Sequence, residues 1–296
     1  MLISFSLTCV IFFTICIGSA AYLSLFERKL IGWIQLRVGP DRCGIFGIGQ
    51  PIADALKLLF KRQALDSHSG PAIFAICLMF AVALIQLSLI PFVNNFVLWK
   101  SENGLIILLL LHSIVVFCET MIGTASHSKF GVIGGTRAYL QHVGSHVPFV
   151  LSMVCIILGT NTTDLLMITK ITDSFLWFLL KIPLFIIFFV TILIVAKKIP
   201  FDFPEAESEI VSGAYVEYGG ILFGLIYLSD YLNLIFYSAL ISTIFLRNFV
   251  ILGTISMISL LILIRAILPR YRQDEMIKIA LVILLPLLLF CMMCLF

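Results

Sequence analysis

Long stretches of this chain are so continuously apolar that water cannot be their solvent. They fall at residues 2–26, 72–93, 104–122, 143–159, 175–196, 219–241, 250–268 and 277–296. A helix crossing a bilayer core needs about 20 apolar residues, so each run matches one crossing. The expected fold is all-α: a polytopic membrane protein of about eight transmembrane helices, forming a single membrane domain over residues 1–296. The 61% apolar and 12% charged composition supports this, since soluble domains run near half and a quarter. Spanning β-barrels alternate apolar and polar residues, and these runs do not alternate. Polar residues or glycines interrupt only the fourth and sixth, and no internal repeat is visible.

Other classes are excluded on similar grounds. A net charge of +3 gives no basic face for nucleic acid, and the apolarity rules out disorder. Seven of the cysteines (Cys9, Cys16, Cys77, Cys118, Cys155, Cys291 and Cys294) sit inside apolar runs, where cysteine acts as a small hydrophobe. Cys291 and Cys294 form a CxxC without a second pair or a nearby histidine, so no metal or redox centre is expected there. Residues 2–26 are too long for a signal-peptide core and lack a basic segment before them, so they are expected to be the first span.

Lys and Arg set the orientation. The first loop (27–71) carries Arg28, Lys29, Arg37, Arg42, Lys57, Lys61 and Arg62. The third (123–142) carries Lys129 and Arg137, and the fifth (197–218) carries Lys197 and Lys198. Around the seventh (269–276) lie Arg265, Arg270, Arg272 and Lys278. That places 15 of the 19 basic residues on one side, leaving Lys100, Lys170, Lys181 and Arg247 opposite. The odd loops are therefore expected to face inward, with both termini and the interfacial Trp99 and Trp177 on the other side.

Two inner loops carry chemistry. In the first, Pro51 suits the opening of a helix, with Ile52, Leu56 and Leu59 on one face and Asp54, Lys57 and Lys61 on another, an amphipathic surface helix. In the fifth, Asp202, Glu205, Glu207, Glu209 and Glu217 fall close together. A helix starting at Pro204 would put Glu205 in its first turn, on one face with Glu209. Crowded carboxylates hold protons nearer neutrality, which suits proton handling; an acidic solvated loop is the alternative. Ionisable groups at membrane depth are costly without a partner or a wet cavity. Glu119, Asp230, His112, His142 and His146 are therefore candidates, either for a proton path or as paired structural residues.

The loop motifs resemble respiratory complex I subunit 1. Glu27-Arg28-Lys29, Gly32, Gln35, Arg37, Gly39-Pro40, Gln50-Pro51, Ala53-Asp54 and Lys57 match its first loop. Ala125-Ser126, Ser128, Gly134 and Arg137-Ala138 match the third. Pro200-Phe201-Asp202, Pro204-Glu205, Glu207, Glu209, Val211-Ser212-Gly213 and Val216-Glu217-Tyr218 match the fifth. Arg265, Pro269-Arg270-Tyr271-Arg272 and Asp274 match the seventh.

The resemblance implies a core membrane-arm subunit of proton-pumping NADH:ubiquinone oxidoreductase. Such a subunit contacts other subunits of the membrane arm and of the quinone-binding hydrophilic arm, ubiquinone and membrane lipids, but no nucleic acid. It implies a ubiquinone chamber or junction around Glu27, Arg28, Lys29, Trp33, Gln35, Arg37, Asp54, Phe223, Arg270 and Arg272. It also implies a proton path through Asp202, Glu205, Glu207, Glu209, Glu217 and Asp230. No catalytic residue, metal or covalent cofactor is expected in this chain; ubiquinone is the substrate, and iron–sulfur clusters and FMN belong to other subunits.

Several positions depart from the family pattern. His146 replaces a glutamate in an SYE segment, Val195 replaces the glutamate of AETNR, Asp230 stands for the glutamate of AEY, and Leu281-Val282 replace Trp-Lys. Two carboxylates are thus missing from the expected path; histidine can still carry a proton but valine cannot, so either water and other subunits fill the gap or Glu119, which the pattern does not supply, compensates. A membrane subunit of a hydrogenase-type ion-pumping complex and a stand-alone transporter remain as alternatives. The compact chain with short loops resembles a mitochondrially encoded form in the inner membrane, its odd loops facing the matrix, with a bacterial plasma membrane as the alternative.

Overall fold

The computed structural model describes residues 2–61, 70–92, 97–169 and 175–295, without the side chains of residues 2–5, 175–179, 207, 208 and 248. Arg62, Lys170, the end of the second expected span and the Trp177 side chain lie outside that description. The described residues are helices and irregular connections, with no strand among them. The long helices are α1 (Leu2–Ile34), α3 (Gly70–Ser88), α4 (Gly104–Ala125), α5 (Lys129–Thr160), α7 (Phe175–Val195), α9 (Gly220–Ile241) and α10 (Val250–Ile267). Short ones are α2 (Gln50–Phe60), α6 (Leu165–Ile168) and α8 (Glu207–Ile210). α11 (Gln273–Lys278) and α12 (Leu285–Leu295) join through a π-helical stretch into one rod.

Among the described residues, seven helical segments are long and apolar enough to cross a membrane: Ser6–Ile34, Gly70–Ser88, Gly104–Ala125, Lys129–Thr160, Gly220–Leu246, Val250–Ile267 and Gln273–Leu295. The eighth expected span is α7, whose described side chains begin at Leu180 and form the shorter apolar helix Leu180–Val195. Three boundaries differ from the sequence expectation. α1 runs on to Ile34, because Glu27, Arg28 and Lys29 find partners that let them stay helical. α5 starts at Lys129, with the Ser128 hydroxyl accepting from the Gly131 N–H at 3.0 Å. The third loop is therefore a short turn rather than residues 123–142. The helix expected from Pro204 is reduced to α8, capped by Ala206, so Glu205 and Glu209 do not share a helix face.

α9 lies at the centre of the bundle, packed by α1, α2, α3 and α10, while α5 bridges α4, α7 and α12. Phe149, Phe188 and Tyr237 form the aromatic middle, with Phe149 stacked on Phe188 at 6.0 Å and edge-on to Tyr237 at 6.4 Å. α1 turns a row of large side chains, including Leu7, Val10, Ile11 and Ile15, away from the protein, as a lipid-facing helix should. α2 behaves as the sequence suggests, with Pro51 in its first turn and buried, and Ile52, Leu56 and Leu59 on its exposed side.

Without aqueous apolar burial to drive them together, membrane helices depend on close packing at small residues. A methyl group on Gly123 of α4 would sit 2.4 Å from Gly135 Cα of α5. One on Gly134 would sit 2.3 Å from the Ala214 nitrogen in the fifth loop. These two positions set how closely α4 and the loop approach α5. Gly123→Ala is expected to destabilise the protein by about 1–3 kcal/mol, read as a lower Tm of the detergent-solubilised assembly. Gly18→Ala, where a methyl group meets nothing within 4 Å, leaves it unchanged.

Candidate functional site

α1, α2 and the inner part of α9 enclose a mostly apolar chamber of about 690 Å³, with Ala20, Leu58, Phe223 and Leu228 among its walls. Arg28, Asp54, Lys57 and Lys61 edge it. The helical continuation of α1 presents Arg28 towards α2, where its Nη1 donates to Asp54 Oδ2 at 3.0 Å. Gln50, one turn earlier on α2, donates to the other oxygen of Asp54 at 2.9 Å. Both oxygens are thus held, and the charged pair marks one polar end of an apolar space.

The other residues expected at the chamber lie elsewhere. Lys29 donates to the Phe46 carbonyl and sits 5.8 Å above that ring. Trp33, Gln35 and Arg37 are exposed where α1 ends, with Arg37 donating to Gln35 at 2.8 Å. Arg270 donates to Asp202 at 2.8 Å, and Arg272 lies exposed 3.4 Å from Asp274. Glu27 is buried, paired with Arg265, and accepts from the Tyr231 hydroxyl at 2.9 Å. Its carboxylate therefore braces α1 against α9 and α10. Of the ten, Arg28, Asp54 and Phe223 line the chamber.

A second, polar cavity of about 20 Å³ lies deeper, room for about one water. Glu119 from α4, His142 from α5, Lys197, Lys198 and Glu205 from the fifth loop, and Asp230, Asn233 and Tyr237 from α9 converge on it. Glu119 Oε2 lies 2.5 Å from His142 Nε2 and also pairs with Lys197. Local structure explains why Lys197 reaches in. α7 ends at Val195, and Lys197 takes a left-handed conformation (φ 52°), the usual way a chain leaves a helix. The Gln141 amide donates to the carbonyls of Ile194 and Phe201, both at 2.7 Å, and so pins both ends of that turn.

The fifth-loop acids divide. Glu205 is half-buried at the cavity, and burial raises its affinity for a proton; Lys198 opposes the shift and Asp202 adds to it. Burial also pushes the Asp202 carboxyl up, with Arg270 pulling it back. Glu209 is exposed and accepts from Arg137 at 2.5 Å, and Glu217 is exposed. The Glu207 side chain is outside the described part. Of the expected proton-path residues, Glu119, Glu205 and Asp230 line the cavity and His146 lies beside it, its ring stacked 5.9 Å from His112. Sequence reading missed Lys197, Lys198, Asn233 and Tyr237. The double lysine ending an apolar run is a signal, but one that a marker of sidedness gives equally well.

The two spaces meet at neighbouring residues of α9. Tyr231 lines the chamber while Asp230 lines the cavity. Lys198, also at the cavity, holds its ammonium 5.0 Å from the Tyr231 ring. Lys198 therefore lines one space and touches, through a cation–π contact, a residue that lines the other.

Fold and site together define a helical membrane protein in which an apolar chamber, open at the level of a surface helix, adjoins a buried acid–base cluster. Residues 7–296 match the family described as NADH dehydrogenase, and the chain belongs to that family, which is that of complex I subunit 1. It is 35% identical to a Rickettsia typhi subunit of NADH-quinone oxidoreductase, the one designated H, over 91% of this chain and 86% of that protein. The proteins of the same designation from Rickettsia canadensis and Rickettsia felis are as similar over the same extents.

A proton held more tightly by folded Glu205 than by an ordinary glutamate gives a defined pH dependence. Its raised affinity favours the folded state fully below the ordinary value of 4.5, and that contribution is lost as pH rises through the folded value. In Glu205→Gln the loss disappears. The Tm difference between variant and parent is expected to move in the variant's favour as pH rises above about 4.5, measured by thermal unfolding at a series of pH values. Arg270→Ala, which strands the Asp202 carboxylate, lowers stability by about 1–3 kcal/mol.

Proposed function

We propose that this chain is the core membrane-arm subunit of a proton-pumping NADH:ubiquinone oxidoreductase, forming the mouth and wall of the ubiquinone chamber and the start of the acidic proton path. The observation that carries this reading is the pairing of the two spaces across Asp230 and Tyr231. A quinone has a long apolar tail and a polar head, which an apolar space of about 690 Å³ edged by Arg28 and Asp54 suits. Reduction of a quinone to its quinol takes up two electrons and two protons. The electrons come from iron–sulfur clusters and FMN in other subunits, and this chain contributes walls, charge and proton-bearing groups. Glu119, Glu205, Asp230 and, one layer on, His146 are the groups that carry the change of protonation away from the chamber.

The exposed acids and bases of the inner surface, Arg37, Glu209, Glu217 and Arg272 among them, suit contact with neighbouring subunits of the membrane and hydrophilic arms. The compact chain with short loops supports a mitochondrial inner membrane, and the sidedness of Lys and Arg then puts the odd loops in the matrix. The bacterial relatives support the same role in a plasma membrane, and fractionation of the source cells decides between them.

On a native gel of mildly solubilised membranes, the chain is expected to co-migrate with a large NADH-oxidising band whose quinone reduction is blocked by a quinone-site inhibitor. Migration with a large complex indifferent to NADH would move the hydrogenase-type reading forward, and migration as a small free species would favour a transporter. Within the assembled complex, Phe223→Ala removes a wall of the chamber. It is expected to raise the KM for a short-chain quinone by roughly 10-fold, the scale of a lost apolar contact, with NADH oxidation by an artificial acceptor unchanged.

A further inference from the structure

Three histidines are gathered in the interior next to the polar cavity, and the functional reading above uses only one. His112 of α4 and His142 of α5 are buried, and His146, one turn beyond His142, is half-buried. The ring centroids of His112 and His142 are 6.3 Å apart, and those of His112 and His146 are 5.9 Å apart with the planes 9° from parallel. His142 Nε2 is on Glu119 at 2.5 Å, and His112 Nδ1 is 3.1 Å from the Tyr237 hydroxyl. The remaining ring nitrogens, His142 Nδ1 and His112 Nε2, are buried and have no hydrogen-bond partner among the described residues.

Buried polar atoms are almost always bonded to protein or water. The rings that carry these two nitrogens have centroids 6.3 Å apart, which leaves a water able to satisfy both where the nitrogens face each other. Apolar packing alone does not set one imidazole against two others and leave a buried nitrogen on each of two of them without a partner among the described residues.

We propose that Glu119, His142, His112 and His146 form a proton relay from the polar cavity into the middle of the membrane. This rests on the functional reading above and extends it to residues on α4 and α5. Glu119 takes a proton at the cavity, where Lys197 and Lys198, Glu205, Asp230 and Tyr237 set the local charge. It passes that proton to His142 at Nε2, and His142 gives up one from Nδ1. His112 receives it at Nε2 through water, while Nδ1–H donates to the Tyr237 oxygen, and returns it from Nε2 towards His146. Each step moves one proton from an O–H or N–H to an oxygen or nitrogen lone pair and needs no oxidant or reductant.

His112 stands seven residues before Glu119 on the same helix, so the relay carries the proton about 10 Å further from the inner surface. His146 is the outlet. A half-exposed imidazole at this depth requires cover by protein or water, so the acceptor is a protonatable side chain or water file of an adjoining membrane subunit.

The test uses closed membrane vesicles containing the assembled complex, with assembly of each variant checked on a native gel. NADH-driven proton movement is read with a pH-sensitive dye, and infrared difference spectra are recorded on ¹⁵N-histidine-labelled membranes. His112→Phe keeps an aromatic ring against Phe149, whose centroid is 4.8 Å away, but carries no proton. It is expected to lower the pumping rate by roughly tenfold or more and to abolish the turnover-linked imidazole bands. At the more accessible outlet, His146→Leu lowers pumping equally, whereas His146→Glu restores it, a rescue that a packing role does not give. Wild-type pumping in His112→Phe, or equal pumping in His146→Leu and His146→Glu, overturns the relay and leaves the functional reading standing. Absence of NADH-driven proton movement in the unmodified vesicles overturns both.

Discussion

A carboxylate at membrane depth is the constraint around which the inner part of this protein is organised. Glu119 is buried on α4, where an unpaired charge costs several kcal/mol. It is tolerated because His142 from α5 and Lys197 from the end of α7 both reach it. Those partners in turn need α7 to stop at Val195, Lys197 to adopt a left-handed backbone, and Gln141 to tie down the turn. The close glycine contacts that bring α4 and the fifth loop against α5 keep these distances short. The acid cluster and the helix packing are therefore one problem with one solution: neither survives if the other loosens.

Much of this was legible in the sequence. Continuous apolar runs gave the helical class, and loop motifs such as Gln50-Pro51 and Pro204-Glu205 gave the family. The surface helix at Pro51 and the presence of Glu119 and Asp230 in the interior were readable from their own neighbourhoods. What could not be read was partnership. Glu119, His142 and Lys197 come from three separated segments, and nothing local marks them as neighbours. Arg37 and Arg270 look equivalent as loop arginines, yet the first ends exposed beside Gln35 and the second holds Asp202. The helix expected from Pro204 failed because Gly213 and Ala214 pack against α5, so tertiary contact overrode local propensity.

The two missing carboxylates of the family pattern fall in one place. Val195, where the pattern has a glutamate, lines the polar cavity, and His146, where it has another, stacks on His112. Glu119 occupies the same neighbourhood from a different helix, with its charge balanced by Lys197. The local number of proton-binding groups is therefore not simply reduced by two. It is redistributed towards imidazoles, which can both give and accept a proton through their two nitrogens.

α5 has a mechanical property as well. At 1.5 Å per residue, its run from Lys129 to Thr160 makes a strut about 48 Å long, with Pro148 in its outer half. Arg137 grips Glu209 of the fifth loop at one level, and His142 and His146 ride one to three turns further along. A stiff rod cannot bend between such closely spaced points. A shift of the fifth loop that draws Arg137 with it therefore draws His142 along the helix axis as well.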